Sequence, residues 1–259
     1  TSGTTGIQLA LKVLNVKKKV ITTPFTFVAT ANAAKWLNLD IKFCDISKHN
    51  LNLNSNHKDL NHLKKNDAII PVHSFGIPAD IEKFEKLRKK TKVIYDAAHC
   101  FGIQYKGKSI LNFGDASVVS LHATKVFNTC EGGIVVFKKT RDYKLAEKLS
   151  NLGSEGKEYS KGDGINMKMN EIQAAWGLSL LEKFEKIKKR RKNIFHYYLK
   201  HLNKSLWIPT KNLNSNNFCY FPIILNNEKA LHKIISKLKK KKIFLKRYFY
   251  PSLNTLPHL

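Results

Sequence analysis

The stretch Pro78-Ala79-Asp80-Ile81-Glu82-Lys83-Phe84-Glu85-Lys86-Leu87-Arg88-Lys89-Lys90-Thr91-Lys92-Val93-Ile94-Tyr95-Asp96 sets a helical pattern directly before a strand pattern. Ile81, Phe84 and Leu87 recur at helical spacing behind Pro78, which predicts a helix over Ala79 to Lys90. Val93-Ile94-Tyr95 then reads as a short buried strand ending on Asp96. The alternation repeats outward in both directions. Upstream, a helix is expected over Gly6 to Asn15, a strand at Val20-Ile21-Thr22, a helix over Val28 to Leu37, and strands at Ile41 to Cys44 and Ala68 to Val72. Downstream, Ser117 to Leu121 and Gly133 to Phe137 are further strands. Strands alternating with helices predict an α/β fold with a mainly parallel sheet.

The remainder differs in texture. Met169 to about Leu202 carries one long helical pattern (Ile172, Ala175, Leu178, Leu181, Phe184, Ile187). A polar linker follows at Asn212 to Asn217, then a strand at Phe218 to Leu225, a helix at Glu228 to Lys239 and a strand at Ile243 to Tyr250. The expected organisation is a large α/β domain over 1–168, a connecting helix over 169–205, and an incomplete small α+β domain over 206–259. The chain opens on Thr1 with no Met, so it reads as a piece of a longer protein.

Composition narrows the function classes. Apolar residues are 42% and charged residues 25%, which excludes a disordered chain. The apolar runs, such as Ile134-Val135-Val136-Phe137, fall far short of the ~18 residues that a spanning helix needs, and no signal sequence is visible. The formal charge of +27 would suit an anionic partner. Only five of the 46 basic residues are Arg, however, and runs such as Lys17-Lys18-Lys19, Lys188 to Lys192 and Lys237 to Lys242 lack interleaved aromatics. Such runs read bases poorly and fit solvated faces near helix ends, so nucleic acid is not the expected partner. Cys44, Cys100, Cys130 and Cys219 form no CxxC pair and read as free thiols of a reducing, cytoplasmic compartment, with no metal site.

Three short segments carry chemistry. Ser2-Gly3-Thr4-Thr5-Gly6 leads straight into a helix, where exposed N–H groups and the helix dipole favour an anion; a plain capped helix start fits as well. Tyr95-Asp96-Ala97-Ala98-His99 places a carboxylate at the end of a central strand, the edge at which α/β sheets bind ligands; an ordinary helix cap is the plainer reading. Ser117 to Lys125 is a strand with polar residues at its exit and a lysine before Cys130-Glu131-Gly132-Gly133. Burial would lower that lysine's pKa and make its amine nucleophilic. Together with Phe27, an aromatic that could stack on a ring or simply pack in the core, these parts fit pyridoxal phosphate. That cofactor needs a phosphate cup, a Schiff-base lysine and a carboxylate on its pyridine nitrogen.

At this point the sequence resembles the DegT/StrS-like sugar nucleotide aminotransferases, fold type I pyridoxal phosphate enzymes built as a three-layer α/β sandwich. The resemblance runs through residues 2–6, Thr-Pro-Phe-Thr-Phe-Val-Ala-Thr (23–30), Pro-Val-His-Ser-Phe-Gly (71–76), Tyr-Asp-Ala-Ala-His (95–99) and Ser-Leu-His-Ala-Thr-Lys (120–125). It continues through Glu-Gly-Gly (131–133), Gly-Ile-Asn-Met-Lys-Met (164–169) and Ile-Gln-Ala-Ala (172–175). It implies Lys125 as the Schiff-base lysine and Asp96 as partner of the pyridine nitrogen. It also implies His99 near the ring hydroxyl, Gly3, Thr4, Thr5 and Ser120 around the phosphate, and Phe27 against the ring. Asn166 would reach the phosphate of a neighbouring subunit, hence a homodimer with shared sites. His122 and Tyr250, the latter in Tyr248-Phe249-Tyr250-Pro251, would stand toward the sugar.

The implied activity is transfer of an amino group from glutamate to a keto sugar nucleotide, a dTDP-4-keto-6-deoxyhexose by the look of residues 120–129 and 248–254, for surface polysaccharide synthesis. Three rivals differ in class. A dehydratase of the same family would have His in place of Lys125. A cysteine desulfurase would need a recognisable catalytic Cys loop. A catalytically degenerate, basic regulatory or nucleic-acid-binding protein of the same fold would not need Asp96, Ser120 and Lys125 together.

Overall fold

A computed structural model describes residues 1–154, 163–203, 206 and 216–259. The large sheet contains β1 (Lys19–Thr22), β2 (Asp40–Phe43), β3 (Ala68–Ile69), β4 (Lys92–Asp96), β7 (Ala116–Ser120) and β8 (Gly133–Phe137); β5 (Gln104–Tyr105) and β6 (Lys108–Ser109) form a separate small hairpin. The strand order is β2-β1-β3-β4-β7-β8, and every pairing is parallel except β7 with β8. The expected α/β fold with a mainly parallel sheet is therefore what forms.

Strand residues alternate between two cores, one on each face of the sheet. Val20, Ala68, Ile70, Ile94 and Val118 pack against Ile7, Leu11 and Leu14 of the first helix, α1 (Gly3–Val13), and against Ala33 and Ala34 of α2 (Val28–Lys35). Ile21, Ile69, Val93, Tyr95 and Val119 face the other way, onto Phe84 of α3 (Ile81–Leu87), Ile103 and Ile110. Three layers result, with α4 (Thr140–Ser150) packed beside α1 through Ala146. The parallel strands bring their carboxyl ends to one edge, where Thr22, Asp96 and Ser120 leave the sheet.

Four expectations need correction. The single long helix from Met169 is two helices, α5 (Glu171–Glu182) and α6 (Phe184–His201), separated at Lys183. The break lets Phe184 enter the core edge-on to Phe101 and Phe127, over Gly102, whereas Ile172 stays 82% exposed. Strand β3 stops at Ile69, because Pro71 has no N–H to continue the ladder; its carbonyl still accepts from Asp96 N–H at 2.9 Å, and Val72 makes an isolated bridge to Asp96. Residues 218–225 and 243–250 are not regular strands, and no ladder pairs them among the described residues. Side chains place them instead, as the site shows. Helix α7 (Glu228–Lys240) forms as expected, with its Lys-rich end solvated. Lys188 to Lys192 lie in the middle of α6 rather than at a helix end. The proposed 205/206 boundary falls on Ser205, and residues 212–215 of the polar linker likewise lie outside the described residues.

Close packing of α1 on the sheet is set at Gly6. A Cβ there would stand 2.8 Å from Val118 Cγ1 and 3.0 Å from Val135 Cγ2. Replacing Gly6 by Val is expected to destabilise the fold by about 2 kcal/mol through overpacking, read as a lower urea midpoint at unchanged slope.

Candidate active site

The first turn of α1 is closed by a capping box: Thr5 N–H donates to Ser2 Oγ at 3.2 Å, and Ser2 N–H donates to Thr5 Oγ1 at 3.0 Å. Thr5 is thus spent on the cap and does not line the cavity, a different use from the one expected. Gly3 and Thr4 do line it, with N–H groups that belong to the turn's unsatisfied set. Gly3 sits against the exit of β7: a Cβ there would meet Ser120 Cβ at 3.2 Å. Gly133 is equally constrained, since its Cβ would stand 2.5 Å from the Ser2 carbonyl. The chain start and two strand ends therefore make one close-fitting corner.

From this corner a cavity of about 220 Å³ runs to Asp96 at the end of β4. Asp96 is only 6% exposed. Thr30 Oγ1 donates to its Oδ2 at 2.7 Å, Ala98 N–H donates to its Oδ1 at 3.0 Å, and Thr26 backs Thr30 at 3.0 Å. Burial pushes the Asp96 carboxyl above its ordinary pKa, while Thr30, Ala98 N–H and the Lys125 charge pull it back. Lys125 follows the turn after β7 and enters the same cavity. Burial lowers its pKa, opposed mainly by Asp96. Its Nζ lies 3.4 Å from the Tyr220 hydroxyl.

Two histidines complete the wall. His99 Nδ1 accepts from Phe75 N–H at 3.0 Å, and burial keeps its ring neutral, well below the ordinary pKa. Phe75 reaches it from a left-handed backbone (φ 58°), a strained conformation for a side chain of that size. His73 Nδ1 accepts from Ala79 N–H at 2.9 Å while its ring stacks on Tyr95 at 4.7 Å, and burial lowers its pKa to about 3. The His73 Nε2 is buried without a partner among the described residues.

Phe27 also lines the cavity, although it is 62% exposed. His122 lines the mouth, with Nε2 3.5 Å from Glu131. Asn166 and Tyr250 do not reach the cavity. Asn166 is exposed beyond α4, bridged to Asn151, and Tyr250 lies under the Arg247 guanidinium at 3.5 Å. Lys246, Tyr248 and Phe249 occupy the wall where Tyr250 was expected. The sequence reading missed Thr30, His73 and Tyr220. A threonine three residues after Phe27 on a helix start was the one usable signal; nothing local marks the other two.

Asn217 fastens the second arm of the site. Its buried Nδ2 donates to the carbonyls of His99 (2.8 Å) and Phe101 (3.0 Å), and its Oδ1 accepts from Cys219 N–H at 3.1 Å. This sets Tyr220 upon the His99 ring, with ring centres 4.4 Å apart. The Cys44, His57 and Asp59 side chains also meet, away from this cavity, but Asp59 is already ion-paired with Lys42 at 2.9 Å.

A buried carboxylate at a strand end, a lysine across the cavity and a helix N-terminus at its far end, on a mainly parallel sheet, define a fold type I pyridoxal phosphate enzyme. The chain belongs to the DegT/DnrJ/EryC1/StrS aminotransferase family, whose model matches residues 1–259. A dTDP-4-amino-4,6-dideoxy-D-glucose transaminase of Shigella dysenteriae is 38% identical over 96% of this chain and 70% of its own length. A protein of that same description from Escherichia coli is 33% identical over 99% of this chain and 71% of its own. The crystal structure of DesI in the presence of its TDP-sugar product superposes with a TM-score of 0.90 at 28% identity, over 99% of this chain and 67% of that one. No helix among the described residues is long and apolar enough to cross a membrane.

The two neutral imidazoles make stability pH-dependent. Their folded pKa values are depressed, so their contribution is present above the ordinary value of 6.5 and is lost as pH falls toward about 3 for His73. At pH 5 the loss from His73 alone is expected to be about 2 kcal/mol. Urea midpoints measured from pH 7 to pH 5 should fall in the parent, and less steeply in His73→Gln.

Proposed function

We propose that this aminotransferase moves an amino group from glutamate to a dTDP-4-keto-6-deoxyhexose, and that Lys125 and Asp96 carry the chemistry. The carrying observation is the cavity that holds the Asp96 carboxylate, the Lys125 amine and the N-terminus of α1 together. Its donor set fits pyridoxal phosphate. Gly3 and Thr4 N–H with Ser120 suit the phosphate in a corner too tight for a Cβ at position 3, and Asp96 suits a protonated ring nitrogen. Such a cation would draw the Asp96 pKa down against the push of burial.

When bound, the cofactor supplies an aldehyde for amines and a ring that takes up the electron pair left on a substrate carbon. Asp96 would hold the ring nitrogen's proton; Thr30 and Ala98 N–H keep its two oxygens in place. Lys125 would hold the cofactor's aldehyde through its amine; as a free amine, its Nζ would take up the proton lost from a substrate carbon and release it to the carbon that gains a hydrogen, a role helped by its lowered pKa. Phe27 and His99, which both line the cavity, would cover one face of the ring and approach the ring hydroxyl. Donor and acceptor use the site in turn, so ping-pong kinetics follow.

The relatives named as dTDP-sugar transaminases and the DesI complex with a TDP-sugar support the acceptor class. His122 at the mouth and the aromatic segment ending at Tyr250 are where we place sugar contacts. Asn166, remote from this chain's own cavity, is assigned to the phosphate of a second copy. The exposed Ile172, Trp176 and Leu178 of α5 support a homodimer. A basic regulatory protein with a degenerate site finds no support in the intact cavity.

Borohydride should bleach the visible band of the parent and fix the cofactor on Lys125. Lys125→Ala should show neither the fixation nor turnover. In Asp96→Asn, kcat is expected to fall by about 10²-fold or more. A panel of keto sugar nucleotides with glutamate tests the acceptor. In sedimentation, a monomer at micromolar concentration would refute the shared site.

A further inference from the structure

Tyr220 comes from a part of the chain about a hundred residues beyond Lys125, yet its hydroxyl lies 3.4 Å from Lys125 Nζ. We propose that Tyr220 is a positioning residue for Lys125: its phenol oxygen accepts one N–H of the amine, which fixes where the nitrogen's lone pair points. The inference rests on Lys125 being the proton-moving group.

Four observations carry it. First, the phenol cannot swing away, because its ring packs on His99 (4.4 Å) and edge-on against Phe75 (5.7 Å) and Tyr248 (5.9 Å). Second, its backbone is fastened by Asn217, which grips the carbonyls of His99 and Phe101. Third, burial keeps the phenol protonated, so it faces the amine as a neutral acceptor. Fourth, the other groups acting on Lys125 do not do this work. Asp96, Cys100, Cys219 and Lys246 act through space, and His99 already spends Nδ1 on Phe75 N–H.

The chemistry favours a phenol at this place. A neutral amine has two N–H bonds and one lone pair. Giving one N–H to Tyr220 leaves the lone pair free to take a proton from a substrate carbon. When that C–H bond breaks and the N–H bond forms, the same contact becomes charge-assisted and strengthens. A carboxylate here would grip the ammonium and stop it returning the proton. A phenylalanine would leave the side chain free to turn.

The test is Tyr220→Phe, which keeps the ring and removes one oxygen. In the cofactor-free protein, competitive acetylation across pH, read at the Lys125 peptide by mass spectrometry, gives that lysine's titration midpoint. The hydrogen bond is stronger to the charged form, so its loss should move the midpoint down by about half a unit to one unit. In the loaded enzyme, kcat should fall about tenfold, with KM for the amino donor within twofold. A Lys125 midpoint identical in parent and variant overturns the proposal, whatever happens to turnover. Failure of the underlying reading is separate: it would show as borohydride fixation that survives in Lys125→Ala.

Discussion

Everything at the site depends on keeping one carboxylate out of water. Asp96 ends the central strand β4 beneath the cavity, where desolvation raises its pKa. The fold supplies a compensating shell from three directions. Thr30 comes from α2, Ala98 N–H from the turn after the strand, and Lys125 from the loop after β7. Each of these is itself placed by packing. Thr30 stands on a helix whose Ala33 and Ala34 are pressed against the sheet, and the turn after Asp96 is fastened through His73 N–H to the Asp96 carbonyl at 3.0 Å. Burial and these partners thus pull the carboxyl's pKa in opposite directions, and a cation arriving in the cavity would favour the charged form.

The parts of this arrangement legible in the sequence were those with a local signature. The strand ending on Asp96 announces itself by apolar residues that stop at an acid, and the small residues 2–6 announce a helix start. The lysine after Ser117 to Leu121 was findable because it interrupts two apolar strands. What escaped were partners fixed only by the tertiary fold. Thr30 is an ordinary helical threonine until α2 is laid beside β4. Tyr220 read as one residue of an apolar strand, and the strand does not form: its ring instead joins an aromatic cluster around Phe75 and His99. The break at Lys183 was hidden for the same reason. Periodicity continues through it, and only the need to bury Phe184 over Gly102 requires the turn.

The aromatic cluster has its own logic. Phe25, Phe75, Tyr220, Tyr248 and Phe249 meet edge-on or stacked, from four separated places in the chain. Rings of this size bury much surface with few rotatable bonds, so they can fasten segments that lack backbone pairing. Leu253 N–H donating to the Pro24 carbonyl at 3.1 Å closes the last of those segments onto the first. The cluster thus does for residues 216–259 what hydrogen-bonded ladders do for the sheet.

The charge of the molecule and the charge of its cavity are arranged independently. The chain carries +27, spread over solvated lysines such as those of α6 and α7, while Lys125 is shifted toward neutrality by burial. A surface field of that sign raises the local concentration of anions at every face without selecting one. Selection has to come from the cavity, where an anion would meet the first turn of α1, and a carboxylate at the opposite end would repel the same charge. The two ends of the pocket impose a direction on any molecule that carries an anion at one end and a protonated nitrogen at the other. Surface lysines, however many, cannot impose that direction.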